Sequence, residues 1–461
     1  MKIEIKNKCI ISDVSEELAK EIKSRLTLDN PKYSDAVKQG YRPSKISATL
    51  EFYRDVAKDG SVFETPAGFI NQLISIAKNS GVEPEITDKR IVLEPVDFEF
   101  HGELRPMQQP ACTAVLKENF GILHAPTGSG KTAMALWLMA RRRQPALVVV
   151  HTRELLNQWL TSIDQFLKIE LNEIGIIGDG KFKIGKRITI AMIQTLVKRA
   201  EEAAPYIGYL ILDECHRAPA MQCVKAINEF DCKYRTGLTA TPFRRDKLSK
   251  VIFWHMGDIK GKIEKSDLLE SGSLCQAEVI WINTRFNTDI DASANYSKAL
   301  SALTEDHDRN RLVCDAVANH KGNGVSLILS DRRDHCKELA RILSLNNNID
   351  AEVLTGAVGN KERKKIINDL SSGRCRYLVA TGQLVGEGFD LPEISILFMT
   401  CPVKFPGRVI QYIGRILRPL PGKEKALIID FVDKENPVFT ASARSRFYTY
   451  KSQGIVKQVV E

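Results

Sequence analysis

Long apolar runs are missing from this chain of 461 residues. Nothing approaches the roughly 18 consecutive apolar residues that a membrane-spanning helix requires. Runs such as residues 146–150 have the length of a strand. Residues 1–11 alternate charged and apolar positions and lack the apolar centre of a secretory signal, so the expectation is a cytoplasmic protein with no membrane partner. No C-x-x-C pair occurs among the ten cysteines, which are scattered singly from Cys9 to Cys401. That scatter argues against zinc templates and a disulfide framework and leaves small buried thiols in a reducing compartment. Even Cys215, Cys223 and Cys232 with His216 fit no tetrahedral spacing. Short repeats and low-complexity tracts are absent as well.

What is present is the composition of a globular protein, 43% hydrophobic and 27% charged, long enough for about three domains. The net charge of +9 is uneven. Residues 1–100 carry 15 Lys and Arg against 17 Asp and Glu, whereas residues 361–461 carry 17 against 10. A basic excess away from the N-terminus suits a phosphate-backbone partner, although charge runs are more often solvated faces.

Residues 1–95 read as a small α+β domain. Strand-like alternation over 2–11 precedes a helix over 15–26 with Ser15 as its cap, a polar loop over 29–42, a strand over 46–53 and a helix over 66–79. From residue 96 the pattern becomes short apolar strands alternating with amphipathic helices. Strands are expected at 121–125, 146–150, 187–192, 209–213 and 235–240, with helices at 132–143 and 153–167. In the latter, Leu155, Leu156, Trp159, Leu160, Ile163 and Phe166 share a face. A mixed stretch over 257–289 interrupts the alternation. Strands then follow at 325–330, 352–354, 376–381, 394–399 and 426–431, with helices at 334–343, 361–370 and 408–417. The fold class is therefore α/β: two tandem parallel-sheet domains, 96–260 and 275–461, behind the α+β block.

Between a strand and a helix stands Ala125-Pro-Thr-Gly-Ser-Gly-Lys-Thr132, the context that marks a P-loop. Thr127, Gly128, Ser129 and Gly130 would wrap backbone N–H groups around the phosphates of ATP, helped by the dipole of the following helix. Lys131 would reach the β- and γ-oxygens and the Thr132 hydroxyl would ligate Mg²⁺. Ala125 replaces the first glycine of the common pattern. Asp213-Glu-Cys-His216 ends another apolar strand; Asp213 would hold Mg²⁺ and Glu214 would orient and deprotonate the attacking water.

These residues resemble the signature of superfamily two helicases, and the resemblance extends across residues 105–430. Leu104-Arg-Pro-Met-Gln108 resembles the segment that reads adenine, which implies Gln108 as the contact. His151-Thr-Arg-Glu-Leu155 resembles a nucleic-acid-binding motif, and Leu238-Thr-Ala-Thr-Pro242 the motif that couples ATP to nucleic acid. Val379-Ala-Thr381 with Gly386-Glu-Gly-Phe-Asp390 resembles the fifth motif and implies Gly388 and Asp390 at the nucleotide. Gln411-Tyr-Ile-Gly-Arg415-Ile-Leu-Arg418 resembles the sixth. There, Gln411, Arg415 and Arg418 would share one helix face, with both guanidiniums meeting the γ-phosphoryl. The likeness implies two RecA-like domains that close on ATP and reopen on product release. It also implies a nucleic-acid track with backbone contacts at Thr152, Arg153, Gln194, Thr195, Ser330, Thr355, Gly356 and Thr381. Each of these could equally be a cap or a turn residue.

Cys-His after Asp-Glu differs from the tetrapeptide of the large RNA-unwinding branch. Thr241-Pro-Phe-Arg-Arg-Asp246 resembles XPB-like repair helicases. About 20 residues separate Asp390 from Gln411, the interval in which helicases that split duplexes usually carry a β-hairpin, and the resemblance without that insertion implies a motor that tracks along duplex or moves a junction. Size and layout are similar to phage recombination helicases of the UvsW group. The resemblance implies a monomeric motor on branched DNA, at forks and four-way junctions, in recombination, repair or replication. An RNA helicase or the motor subunit of a larger DNA-processing complex are the alternatives.

Overall fold

The computed structural model describes the chain apart from residues 39, 42, 44, 218–220, 241–247, 383–390, 392, 420–422, 424, 456 and 461. It divides into two compact units, Met1–Glu264 and Lys265–Glu461. The ten cysteines are free thiols, nine of them buried. Among the described residues no helix is long and apolar enough to cross a membrane.

The first unit begins with a five-stranded sheet in the order Arg54–Asp55, Phe63–Pro66, Lys8–Ser12, Lys2–Ile5, Glu85–Asp88. The single strand expected over 2–11 is a hairpin: Lys2–Ile5 pairs antiparallel with Lys8–Ser12, Ile5 opposite Cys9. Ile3, Ile5, Cys9 and Ile11 all point inward, so the alternation continues through the turn and hides it. Helix Glu16–Arg25 follows, its first turn capped by Ser15 Oγ, which accepts from Leu18 N at 3.4 Å. Residues read as a polar loop contain a helix, Pro31–Lys38. Pro31 presets the first helical turn and Asn30 Oδ1 accepts from Lys32 N at 3.1 Å, a start that needs no strong apolar stripe. The strand expected over 46–53 is only Thr49–Glu51, paired with Thr27–Asp29.

This block shares a core with the larger sheet of the same unit. Ile3, Ile22, Phe63, Phe69 and Leu73 cluster with Phe120, Val251 and Trp254. The rings of Phe52 and Phe69 lie 5.1 and 6.4 Å from that of Trp254 on helix Ser249–Met256. A Cβ on Gly68 would stand 2.7 Å from Gly257 N, so the approach of the two backbones requires glycine.

The larger sheet has eight strands in the order Lys181–Lys183, Gly175–Gly178, Ile188–Met192, Ala146–Val150, Tyr209–Leu212, Tyr234–Thr239, Phe120–His124, Ile259–Lys262. All pairings are parallel except that of the edge strand Lys181–Lys183. Ala146–Val150 and Tyr209–Leu212 are buried throughout, as strands covered on both faces must be.

The second unit is a seven-stranded, all-parallel sheet in the order Glu352–Leu354, Tyr377–Thr381, Val325–Ser330, Ile394–Met399, Lys425–Asp433, Gln276–Thr284, Gln458–Val460. Gln276–Thr284, nine residues long, lies within the stretch read as mixed. Two ion pairs with nearly no solvent exposure brace this unit: Arg309 on Asp433 at 2.7 Å and Arg446 on Asp430 at 2.6 Å. Both sheets are therefore the open parallel α/β type, which carries its ligands at the carboxyl ends of the strands.

Candidate active site

The first such end is that of Phe120–His124. The chain turns through residues 125–130 and enters helix Lys131–Arg142. Gly128 and Gly130 have φ of 86° and 81°, left-handed values that turn successive N–H groups into the loop's concavity. Lys131 Nζ lies over that concavity, donating to the carbonyls of Ala125 at 3.2 Å and Pro126 at 3.4 Å. Ser129 is fully buried, yet its hydroxyl has no partner. An orphaned hydroxyl, left-handed glycines, a helix N-terminus and an ammonium in one loop fit a polyphosphate.

Gln108 is 4% exposed and both ends of its amide are engaged: Nε2 donates to Ser129 O at 2.6 Å and Oε1 accepts from Arg105 N at 2.8 Å. It braces the loop, and a Cβ on Gly130 would stand 2.7 Å from its Nε2. Contact with adenine requires these bonds to exchange.

Tyr209–Leu212 delivers the two acids. Asp213 is 7% exposed. Its Oδ2 accepts from Trp159 Nε1 at 2.9 Å and its Oδ1 from Glu214 N at 2.9 Å. Burial, reinforced by the adjacent Glu214 charge, pushes the Asp213 carboxyl above its usual range, while the indole N–H and Lys131 oppose the rise. Glu214 sits at φ 49°, an uncommon conformation for a residue with a side chain, of the kind that clusters at functional sites. Its carboxylate is 3.3 Å from His216 Nδ1, which is 3.1 Å from Thr239 Oγ1 in the segment that resembles the coupling motif. The adjoining Ala240 carbonyl is 3.2 Å from His124 Nε2. A polar chain thus joins the acid pair to the end of Tyr234–Thr239. Residues 241–246, the XPB-like segment, lie outside the described residues, as do Gly388 and Asp390.

The expected track residues in the first unit sit at neighbouring strand ends. Thr152 caps helix Arg153–Leu167, its Oγ1 accepting from Leu155 N at 3.3 Å. Arg153 pairs with Asp179 at 2.8 Å on the surface. Gln194 is exposed and donates to the His151 carbonyl at 2.9 Å; Thr195 beside it is half-buried. In the second unit Ser330 is 1% exposed, and its hydroxyl joins His335 Nδ1 at 2.9 Å and accepts from Arg332 N at 3.0 Å. Thr355 is buried and closes a turn, its carbonyl accepting from Val358 N at 3.0 Å. Gly356 is exposed and Thr381 half-buried at its strand end. Gln194 and Gly356 thus offer accessible groups, whereas Ser330 and Thr355 are engaged within the fold.

Helix Pro406–Ile416 carries Gln411 and Arg415, four apart and both half-buried. Arg418 does not share their helix as expected. Leu417 caps the helix, and Pro419, which disfavours helical backbone at the residue before it, leaves Arg418 beyond the end. Burial lowers the pKa of its guanidinium. On the same helix Arg408 donates to Asp331 at 2.9 Å, a contact that motif spacing did not reveal. Trp159 was also missed as a site residue. Its signal was an indole on an apolar face, because a buried indole N–H needs an acceptor.

Family models match two segments: "Type III restriction enzyme, res subunit" over residues 101–244 and "Helicase conserved C-terminal domain" over residues 308–419. The DNA 3′-5′ translocase XPB2 of Sulfurisphaera tokodaii is 27% identical, over 79% of this chain and 90% of its own length. A protein of Acanthamoeba polyphaga mimivirus named as an ATP-dependent RNA helicase is 25% identical, over 97% of this chain and 84% of its own. Among solved structures, the DNA-bound Type ISP restriction-modification enzyme LlaBIII superposes with a TM-score of 0.60 at 14% identity, covering 84% of this chain and 34% of that one. T4 UvsW aligns over the whole of both chains at 17% identity, with a TM-score of 0.45.

Proposed function

The chain is an ATP-hydrolysing helicase of superfamily two, and we propose that it translocates on DNA, with forks and four-way junctions as its substrates and a monomer as the working form. The observation that carries the nucleotide half is the meeting, at one sheet's strand ends, of the Lys131 loop with the buried, indole-held Asp213.

In this reading Thr127 to Thr132 cradle the triphosphate, and Thr132 and Asp213 would hold Mg²⁺, which would supply positive charge to offset that of the phosphates. Glu214 orients the attacking water and takes its proton. Gln411, Arg415 and Arg418 supply the charge that the transferring phosphoryl group needs, with Gly388 and Asp390 beside the nucleotide. Lys131 and Arg415 belong to different units, so hydrolysis demands closure and release permits opening, a cycle that converts turnover into movement. DNA is favoured by the likeness to a DNA translocase over 90% of that protein's length. Branched DNA is favoured by the small block ahead of two motor domains and by the short interval between Asp390 and Gln411. Thr152, Arg153, Gln194, Thr195, Ser330, Thr355, Gly356 and Thr381 follow the track, Ser330 and Thr355 by shaping it. Residues 1–95 act as a substrate-recognition domain.

RNA as substrate has its own support in the relative named for it. ATPase assays with forked DNA, four-way junctions, linear duplex, single strands and RNA separate the readings. The largest stimulation is expected from the branched DNAs; preferential stimulation by RNA overturns the DNA reading. Lys131→Ala is expected to lose hydrolysis by at least about 100-fold while keeping DNA binding, and retained hydrolysis refutes the site.

A further inference from the structure

The first unit contains a cavity of about 230 Å³ between the N-terminal block and the sheet it docks on. It is walled by Phe52 and Tyr53 on one side and by Val224, Asn228 and His255 on the other, with Thr65 also lining it. Three buried polar atoms of these residues lack a hydrogen-bond partner, Asn228 Oδ1 and both ring nitrogens of His255, and the Thr65 hydroxyl has only the Cys9 thiol beside it. Thr65 and His255 are each 2% exposed. A native fold rarely leaves such groups unpaired, because each costs about 1–3 kcal/mol. Three around one space mark a place shaped for something that supplies their partners.

The chemistry of the lining narrows what that is. Burial pulls the His255 pKa down to about 3, so the imidazole is neutral, one nitrogen a donor and the other an acceptor. Asn228 Oδ1 accepts, and the Thr65 hydroxyl does either. At the mouth Lys8 and Arg54 are both paired with Glu64, at 3.0 and 2.9 Å. Glu51 also lines it, so two cations face two carboxylates and the cavity offers donors and acceptors without net charge. It is smaller than a drug-sized site, and half-buried aromatic rings form one wall. A flat, uncharged heteroaromatic ring with donors and acceptors on its edge matches all of this; a phosphate or a carboxylate does not.

On the proposed reading of a DNA motor, we propose that this cavity takes one unpaired nucleobase, swung out of the DNA strand. Phe52 or Tyr53 stacks on its face, and Thr65, Asn228 and His255 read its edge. The sugar and phosphate stay outside, near Lys8 and Arg54. Stacking on aromatic side chains is how proteins hold unpaired bases generally. The N-terminal block would then sense single-stranded or distorted DNA, which a block with no net positive charge does not do by charge alone.

The test uses the full chain. Oligothymidylates of equal length, one intact and others abasic at single successive positions, are titrated against wild type and against Val224→Phe, which fills the cavity. Wild type should bind the abasic strand roughly tenfold more weakly at one position of the scan. Val224→Phe should lose that discrimination while its melting temperature and its ATPase without DNA stay as in wild type. A strand with one 5-iodouracil should photocross-link to the peptide containing Phe52 and Tyr53. Equal affinity for all the strands, or discrimination retained in a folded Val224→Phe, overturns the proposal. So does cross-linking confined to other peptides. Thymidine or adenosine alone protecting Tyr53 from iodination, with no strand effect, would make this a free-nucleoside site and overturn the strand assignment. DNA-stimulated ATPase that still depends on Lys131 would leave the motor reading standing if the cavity proposal fails.

Discussion

The indole of Trp159 donates to Asp213 Oδ2 at 2.9 Å, with both residues buried. Trp159 stands on helix Arg153–Leu167, whose first residues, Thr152 as cap and then Arg153, carry the proposed DNA contacts. One rigid element therefore reaches from the track to the acid proposed to hold the metal. Trp159→Phe keeps the ring and deletes the donor. ATPase is expected to fall roughly tenfold, with a higher Mg²⁺ requirement, as when groups that orient metal ligands are removed. Steady-state hydrolysis across a Mg²⁺ series measures this. Unchanged turnover at all Mg²⁺ levels would reduce the indole to packing.

Gln108 offers a second discrimination. If its bonds to Ser129 O and Arg105 N brace the P-loop, Gln108→Glu removes the donor to Ser129 and loosens the cradle for every nucleotide. If it reads adenine, the change penalises ATP and spares GTP. The bonds observed lead us to expect loss for both, roughly tenfold for a buried hydrogen bond to backbone. Titration with fluorescent ATP and GTP analogues separates the cases.

The strands and the P-loop were legible because both are local. Ala146–Val150 and Val325–Ser330 are continuous apolar runs bounded by polar residues, and the Lys131 loop packs its function into eight consecutive positions. Gln276–Thr284 was lost because Glu278 and Asn283 break its apolar run; Glu278 is solvated near an edge, paired with Lys425 and Lys457. The Trp159–Asp213 bond joins residues 54 apart, and the cavity at His255 exists only once residues 50–66 meet residues 224–255. Contacts of that range depend on how elements dock, which periodicity does not encode.

His335 sets a pH limit on the second unit. It lies between Ser330 Oγ and Asn310 Oδ1, both at 2.9 Å, and burial pulls its pKa from 6.5 to about 3. Between those values the unfolded chain takes up a proton that the folded chain refuses. Stability is therefore whole above pH 6.5 and falls as pH drops below it. At pH 5.5 the loss from this one group is ~1.4 kcal/mol. His335→Gln, which can keep both hydrogen bonds without titrating, should flatten this fall. Urea midpoints at pH 7.5 and 5.5 for both proteins check it, and an identical drop in each would exonerate His335.

Arg415 decides whether the second unit takes part in the chemistry. It is half-buried in the last turn of Pro406–Ile416, four residues after Gln411. A guanidinium that meets the γ-phosphoryl only as charge spreads in the transition state contributes little to binding and much to turnover. Arg415→Ala should therefore leave the affinity for an ATP analogue within a few-fold while DNA-stimulated hydrolysis falls by about 10³ or more. Arg415→Lys should restore little, because an ammonium lacks the planar fork that spans two oxygens. A structural arginine gives another pattern: both variants lower the melting temperature, and hydrolysis falls only with the folded fraction. Measuring nucleotide affinity, turnover and melting on one preparation distinguishes the two. Turnover within fivefold of wild type in a folded Arg415→Ala would remove the second unit from the catalytic step and leave Lys131, Asp213 and Glu214 to act alone.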